Sequence, residues 1–216
     1  MTDTRIFAIG MNKCGTKSLA YFFQKNGIPS CHHSAYVKGG RRRNVALWMK
    51  ENLENRRGIL FGLEHYRCFT NMDYVSDNMV FDAEVELFEI MDREYPESKF
   101  ILNTRPIDNW VKSRMNHRRT SKSPLALRSM KYYGVDTEDA LAKIWKEERE
   151  RHHGKVIGHF KDKPGRLLIF DIENDGPQEL IDFFPDLSLK AEHYLKVTES
   201  GISKTDLFAK NRYLVR

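Results

Sequence analysis

Within nine residues near the start of the chain, Gly10-Met-Asn-Lys-Cys-Gly-Thr-Lys-Ser18, lie two glycines, two lysines and two hydroxyls. A glycine-rich turn that feeds a helix aims successive backbone N–H groups at one point, and the helix N-terminus adds partial positive charge. Such a loop takes an anion. Gly15 permits close approach, Thr16 and Ser18 can donate from their hydroxyls, and Lys13 and Lys17 bring full charges. Cys14 reads as a small residue in a tight turn rather than as a reactive thiol. The spacing is close to that of a nucleoside-triphosphate loop, which sets Lys and then Ser or Thr directly after the second glycine. Here Thr16 stands between Gly15 and Lys17, and Lys13 lies inside the loop.

A second anion grip is written in "YPESKFILNTRPIDNWVKS", where Arg105 ends a strand-like run and Ser113 follows eight positions on. Arginine offers a planar fork to phosphate oxygens, and a helical serine behind it adds a neutral donor.

Both grips need a scaffold. Arg5 to Gly10 reads as a buried strand leading into the loop, and Ser18 to Asn26 as a helix with Leu19, Phe22 and Phe23 on one face. Ile28 to Cys31 suggests a short second strand, and Arg41 to Arg57 a basic helix around Trp48 and Met49. Ile59 to Glu64 fits either a strand or a buried turn, and Glu84 to Tyr95 a helix. Lys99 to Arg105 is a central strand, followed by a helix through Trp110 and Val111. Residues 114–134 are basic and irregular, as in a long loop or mobile lid. Asp136 to Phe160 is a long helix, Arg166 to Ile172 a strand and Pro177 to Phe184 a short helix, while the chain from Ser188 onward shows no clear pattern. Alternating strands and helices imply an α/β fold, a central parallel sheet flanked by helices, in one domain over 1–216. Ligands of such sheets bind beyond the carboxyl ends of the strands, where the loop and Arg105 would both lie. Trp110 and Trp145 read as core rather than as platforms for a base.

The net charge is +6, so an anionic partner is expected, which composition alone cannot narrow to nucleic acid, nucleotide or acidic small molecule. No apolar run approaches the ~20 residues of a membrane helix, and the first residues lack the pattern of a signal peptide. The expectation is a cytoplasmic protein with no membrane span. Three cysteines, Cys14, Cys31 and Cys68, without a C-x-x-C pair, give no disulfide framework and no zinc site. The clusters Arg41-Arg42-Arg43 and Arg114, His117, Arg118, Arg119 and Lys122 read as solvated charge.

The segment "IGMNKCGTKSL" resembles the 5′-phosphosulfate loop of sulfotransferases that use 3′-phosphoadenosine-5′-phosphosulfate (PAPS), whose core is K-x-G-T-[TK]-[ST]. "GIPSCHH", "YPESKFILNTR" and "LLIFDIENDGPQELIDFF" extend the likeness over most of the chain, to a bacterial-type branch with a P-loop-like fold. One departure is Lys17, where many members carry Thr. The resemblance implies that Lys13, Cys14, Gly15, Thr16, Lys17 and Ser18 hold the phosphosulfate and that Arg105 and Ser113 grip the 3′-phosphate. Lys13 would stabilise the leaving oxygen, the product would be 3′,5′-adenosine bisphosphate, and no metal would be required. A hydroxyl acceptor must lose its proton as it attacks sulfur, so a base is needed opposite Lys13. His32, His33, Glu64, His65 and Asp73 are the candidates, with His32 first and Asp73 second. The acceptor would be a small molecule or a glycan, with no nucleic acid expected, and the sequence is silent on oligomeric state. The rival readings are a P-loop nucleotide or small-molecule kinase needing Mg²⁺ and ATP, and a non-catalytic binder of polyanions.

Overall fold

The computed structural model describes residues 4–37, 39–122 and 124–195. Its first half runs β1 (Ile6–Ala8), α1 (Thr16–Lys25), β2 (Ser30–His32), β3 (Ser34–Tyr36), β4 (Arg42–Asn44) and α2 (Val45–Glu54). Then come β5 (Cys68–Thr70), β6 (Asp73–Val75), β7 (Val80–Asp82), α3 (Ala83–Glu86), α4 (Phe88–Glu94) and β8 (Lys99–Thr104). The remainder is α5 (Ile107–Met115), α6 (Leu125–Tyr133), α7 (Glu138–Phe160), β9 (Leu167–Asp171) and α8 (Pro177–Phe183). A 3₁₀ turn follows at Ala191–His193, and the part of the uninterpreted tail beyond residue 195 lies outside the described residues.

Seven strands form one sheet in the order β4-β3-β2-β5-β1-β8-β9. The five strands from β2 to β9 in that order are parallel, while β3 and β4 add an antiparallel edge. β6 and β7 pair only with each other. The chain builds outward from β1 to β4, returns as β5 beside β1, and then crosses to β1's other side for β8. That reversal opens a crevice beyond the carboxyl end of β1.

Alternation along β1 divides the core between two faces. Ile6 and Ala8 pack with Leu19, Phe22 and Phe23 of α1 and Leu180 of α8. Phe7 and Ile9 point the other way, toward Met49 of α2, Phe88 of α4 and Val156 and Phe160 of α7. Phe7 stacks between Phe69 and Phe100, with ring centroids 5.3 Å apart on both sides, so the three central strands share one aromatic seam. On α7 the buried residues Leu141, Trp145, Arg149, His152, Val156 and Phe160 recur every three or four positions, which makes one stripe facing the sheet.

Several segments differ from expectation. The basic helix begins only at Val45, because Arg42–Asn44 pairs with β3 and the Asn44 side chain caps α2 by accepting from Leu47 N at 2.9 Å. Of the two readings of Ile59 to Glu64 the buried turn is the one found, with Ile59, Leu60 and Leu63 buried, and the unexpected strand beside β1 is Cys68–Thr70. The helix expected over 84–95 is broken at Leu87 into α3 and α4. Residues 114–134 are not a long loop: α5 runs to Met115, and α6 buries Leu125, Ala126 and Ser129 before ending at Gly134 with φ 65°. The basic residues of that stretch masked its helical spacing.

Gly10 is where β1 meets β8 most closely. A Cβ there would fall 1.8 Å from the Asn103 carbonyl oxygen, which neither backbone can relieve. Gly154, exposed within α7, would carry a methyl with nothing within 4 Å of it. Gly10→Ala is therefore expected to cost about 3 kcal/mol or more, whereas Gly154→Ala should be stabilising by roughly 0.5–1 kcal/mol. Urea unfolding midpoints check both, and equal shifts would contradict the packing argument.

Candidate active site

The loop between β1 and α1 is fastened by its carbonyls. Trp110 Nε1 donates to Asn12 O at 2.9 Å, Arg105 Nη1 to Lys13 O at 3.3 Å, and Asn103 Nδ2 to Cys14 O at 2.8 Å. Asn103 also accepts from Gly10 N through Oδ1 at 3.0 Å, so one buried amide closes both ends of the loop. In a trans peptide the N–H points opposite to the carbonyl. With three successive carbonyls tied back, the N–H groups of Lys13, Cys14 and Gly15 face away from those donors. Lys13 and Gly15 both have φ 69°, the alternating left-handed backbone of an anion nest.

Lys13, Gly15, Thr16, Lys17 and Ser18 line a cleft of about 1040 Å³ at the carboxyl end of the sheet. Arg105 and Ser113 line the same cleft, so the loop and the end of β8 share one edge. His117, from the turn after α5, also lines it and places Nδ1 3.3 Å from Lys13 Nζ. Cys14 does not line it. Its thiol is packed under the loop beside Trp110 and Leu141, and burial pushes it up to about 12 despite nearby Arg149. Trp110 and Trp145 are core residues, and Arg114 is buried with its guanidinium carbon 4.3 Å from the Trp145 ring centroid, not solvated.

The facing wall is an amide–carboxylate–imidazole network. Asp73 Oδ2 accepts from Asn12 Nδ2 at 2.5 Å, and Oδ1 accepts from Asn71 Nδ2 at 2.5 Å. His33 Nδ1 lies 3.2 Å from the same Oδ1. Burial alone would raise the Asp73 carboxyl, but the hydrogen bond and charge of His33 and the Asn12 amide together hold it below its ordinary value. An ionised Asp73 can only accept, so His33 Nδ1 carries the proton of that bond, which leaves the second ring nitrogen as the one that can exchange a proton. His32 also lines the cleft, with Nδ1 3.1 Å from Thr70 Oγ1, a hydroxyl that donates its own proton to Cys31 O at 3.2 Å. Glu64 and His65 are elsewhere; His65 is packed on Tyr66, ring centroids 4.2 Å apart, and neither lines the cleft. Lys13, His33, Asn71 and Arg118, all with positive φ, line the cleft, and among the described residues only Arg56 is a fifth such non-glycine. Backbone strain clustered in this way marks functional sites.

A family model described as a sulfotransferase domain (Sulfotransfer_4) matches residues 5–185. The chain belongs to the sulfotransferase family. A search of curated proteins finds no match to it. The matched span contains every cleft residue named above. Among the described residues no helix is long and apolar enough to cross a membrane. Sequence reasoning missed Asn103, Asn71, His117 and Glu173, a glutamate that lines the cleft beside Arg105. Asn103 sits inside the quoted "KFILNT" strand, and a lone buried amide in an otherwise apolar run is the signal that was there to find.

Behind this wall of the cleft, Asp82 lies directly opposite Asp73 in the β6–β7 ladder. Burial, and then the Asp73 charge, push the Asp82 carboxyl up to about 7. Neighbouring Glu84 is fully buried, has no partner among the described residues for either carboxyl oxygen, and is raised well above its ordinary value, chiefly by burial. An unfolded Asp ionises near pH ~4. From there to about 7 the folded Asp82 keeps a proton that the unfolded chain gives up, so its contribution to stability falls as pH rises through that window. Asp73 acts in the opposite sense: its stabilisation is present above ~4 and is lost as pH falls through its lowered folded value. Asp82→Asn should therefore raise the melting temperature relative to wild type by an amount that grows between pH ~5 and ~8. A difference that does not change with pH would contradict the arrangement.

Proposed function

We propose that this chain moves a sulfuryl group from PAPS to a hydroxyl or amine of a small-molecule or glycan acceptor. The observation that carries the reading is the juxtaposition of the Lys13 loop and Arg105 on one cleft, joined through the Arg105 bond to the Lys13 carbonyl. A donor with a phosphosulfate at one end and a 3′-phosphate at the other needs those two grips. The residues fit it: the nest of N–H groups and the Thr16 and Ser18 hydroxyls would hold the 5′-phosphosulfate, and Arg105 with Ser113 would take the 3′-phosphate.

Within this reading Asp73 and His33 share the work of the base. Both Asp73 oxygens already accept hydrogen bonds, which lowers basicity and suits the carboxylate to orienting His33 and stabilising its cation. The second nitrogen of His33 takes the acceptor's proton as the acceptor oxygen bonds to sulfur. The bond from sulfur to the bridging oxygen breaks, and Lys13 meets the charge left on the 5′-phosphate, with His117 beside its ammonium. The Asp73 contact supports His33 over its neighbour as the base, since His32, first on sequence grounds, turns its Nδ1 to the Thr70 hydroxyl.

Lys13→Ala should lower kcat by about a thousandfold, the scale of a lost charge-stabilising group. His33→Ala should lose about a hundredfold or more, whereas His32→Ala should stay within about tenfold. The reverse order of the two histidines in a steady-state assay would overturn the assignment of the base.

Thermal melting tests the cofactor directly. The bisphosphate product, 3′,5′-adenosine bisphosphate, should raise the melting temperature with or without Mg²⁺, and ADP and ATP should not. A shift that demands Mg²⁺ and ATP would favour a kinase.

A further inference from the structure

Arg105 does not present an open fork. Its Nη2 is paired with Glu173 Oε1, and Asn109 Nδ2 donates to Glu173 Oε2 at 2.7 Å. Its Nη1 is spent on the Lys13 carbonyl, and its buried Nε has no partner among the described residues. Arg149 Nη2 donates at 2.5 Å to the Arg105 carbonyl, which fixes the backbone from which the guanidinium projects. Glu173 sits two residues beyond β9, in a turn where its own N–H donates to Asp171 Oδ1 at 2.9 Å. Its side chain is 27% exposed and it lines the cleft with Arg105, Ile172 and Ser113. Both carboxylate oxygens are thus held by donors at one end of the nucleotide-sized cleft.

A carboxylate and a phosphate monoester compete for the same arginine fork, because each offers paired anionic oxygens to parallel N–H donors. They cannot occupy it together without placing like charges side by side, an arrangement that interfaces strongly disfavour. Resting on the donor reading above, we propose that Glu173 is an internal counter-anion that fills the Arg105 fork in the nucleotide-free protein and must yield to the 3′-phosphate. Glu173 then sets the affinity for 3′-phosphorylated nucleotides and so the release of the bisphosphate product. It keeps a half-buried guanidinium neutralised between turnovers and limits how tightly the spent nucleotide is held. Nucleotides without a 3′-phosphate leave the Arg105–Glu173 pair intact and are indifferent to it.

Isothermal titration of wild type, Glu173→Gln and Glu173→Ala with 3′,5′-adenosine bisphosphate and with 5′-AMP tests this. Both variants should bind the bisphosphate about tenfold or more tightly than wild type does, with 5′-AMP affinity unchanged within about twofold. If wild type prefers the bisphosphate but neither variant tightens it, the counter-anion role is overturned while the donor reading stands. Weaker bisphosphate binding in both variants also overturns it, since Glu173 would then be aligning Arg105 for the phosphate. If no form prefers the bisphosphate to 5′-AMP, the donor reading fails and the role of Glu173 fails with it.

Discussion

The site depends on three hydrogen bonds that pull the loop carbonyls backward. Trp110, Arg105 and Asn103 each reach from β8 or α5 and its connection to take the carbonyl of Asn12, Lys13 or Cys14. Planar trans peptides convert that pull into three N–H groups facing the other way, fixed before any ligand arrives. Preorganised donors of this kind cost no rearrangement during a reaction, which makes them effective against developing negative charge. The same bonds satisfy buried backbone groups that the sheet ladder cannot reach, so the loop is an integral part of the core.

Helix α7 supports the arrangement from behind. His152 Nε2 lies 2.7 Å from Ile9 O, and Arg149 reaches Thr104 Oγ1 and Arg105 O at 2.5 Å each. These are groups at the carboxyl ends of β1 and β8, where the ladders stop and backbone oxygens need donors. A long helix crossing both strands supplies them from one face, while its apolar stripe seals the sheet. Scaffold and site therefore share the same residues.

The opposite wall is built differently. Asp73 comes from a two-stranded ribbon outside the main sheet, and its partners arrive from the β1 loop, the end of β2 and the residue after β5. Setting Asp82 across from Asp73, with Glu84 close behind, concentrates buried acid that the Arg114 charge offsets only in part. Such a cluster opposes folding at neutral pH, a cost that functional sites commonly carry. Among the described residues, the cleft in between is lined by five cations, Lys13, Lys17, Arg105, Arg118 and Arg128, against the two acids Asp73 and Glu173, which directs anions into it.

Strong local patterns were legible in the chain itself. "GMNKCGTKS" after an apolar strand dictated a tight glycine loop opening a helix, and "KFILNTR" dictated a central strand that delivers Arg105 to the same edge. Long helical periodicity marked α7, and the alternation of strands and helices marked the parallel sheet. Three-residue strands such as Cys68–Thr70 are too short to show a period, and helix α6 was hidden by its lysine and arginine content. Which histidine meets a carboxylate was beyond sequence reasoning, because His32 and His33 are neighbours and their side chains diverge only once β2 ends. His33, at φ 61°, turns onto Asp73, forty positions along, while His32 stays on Thr70 of the adjacent strand. The pairing of Arg105 with Glu173 likewise arises because β8 and β9 are neighbours in register, Thr104 beside Asp171. Local residue type thus determined what each segment could bind; the order of strands across the sheet decided which of those groups meet.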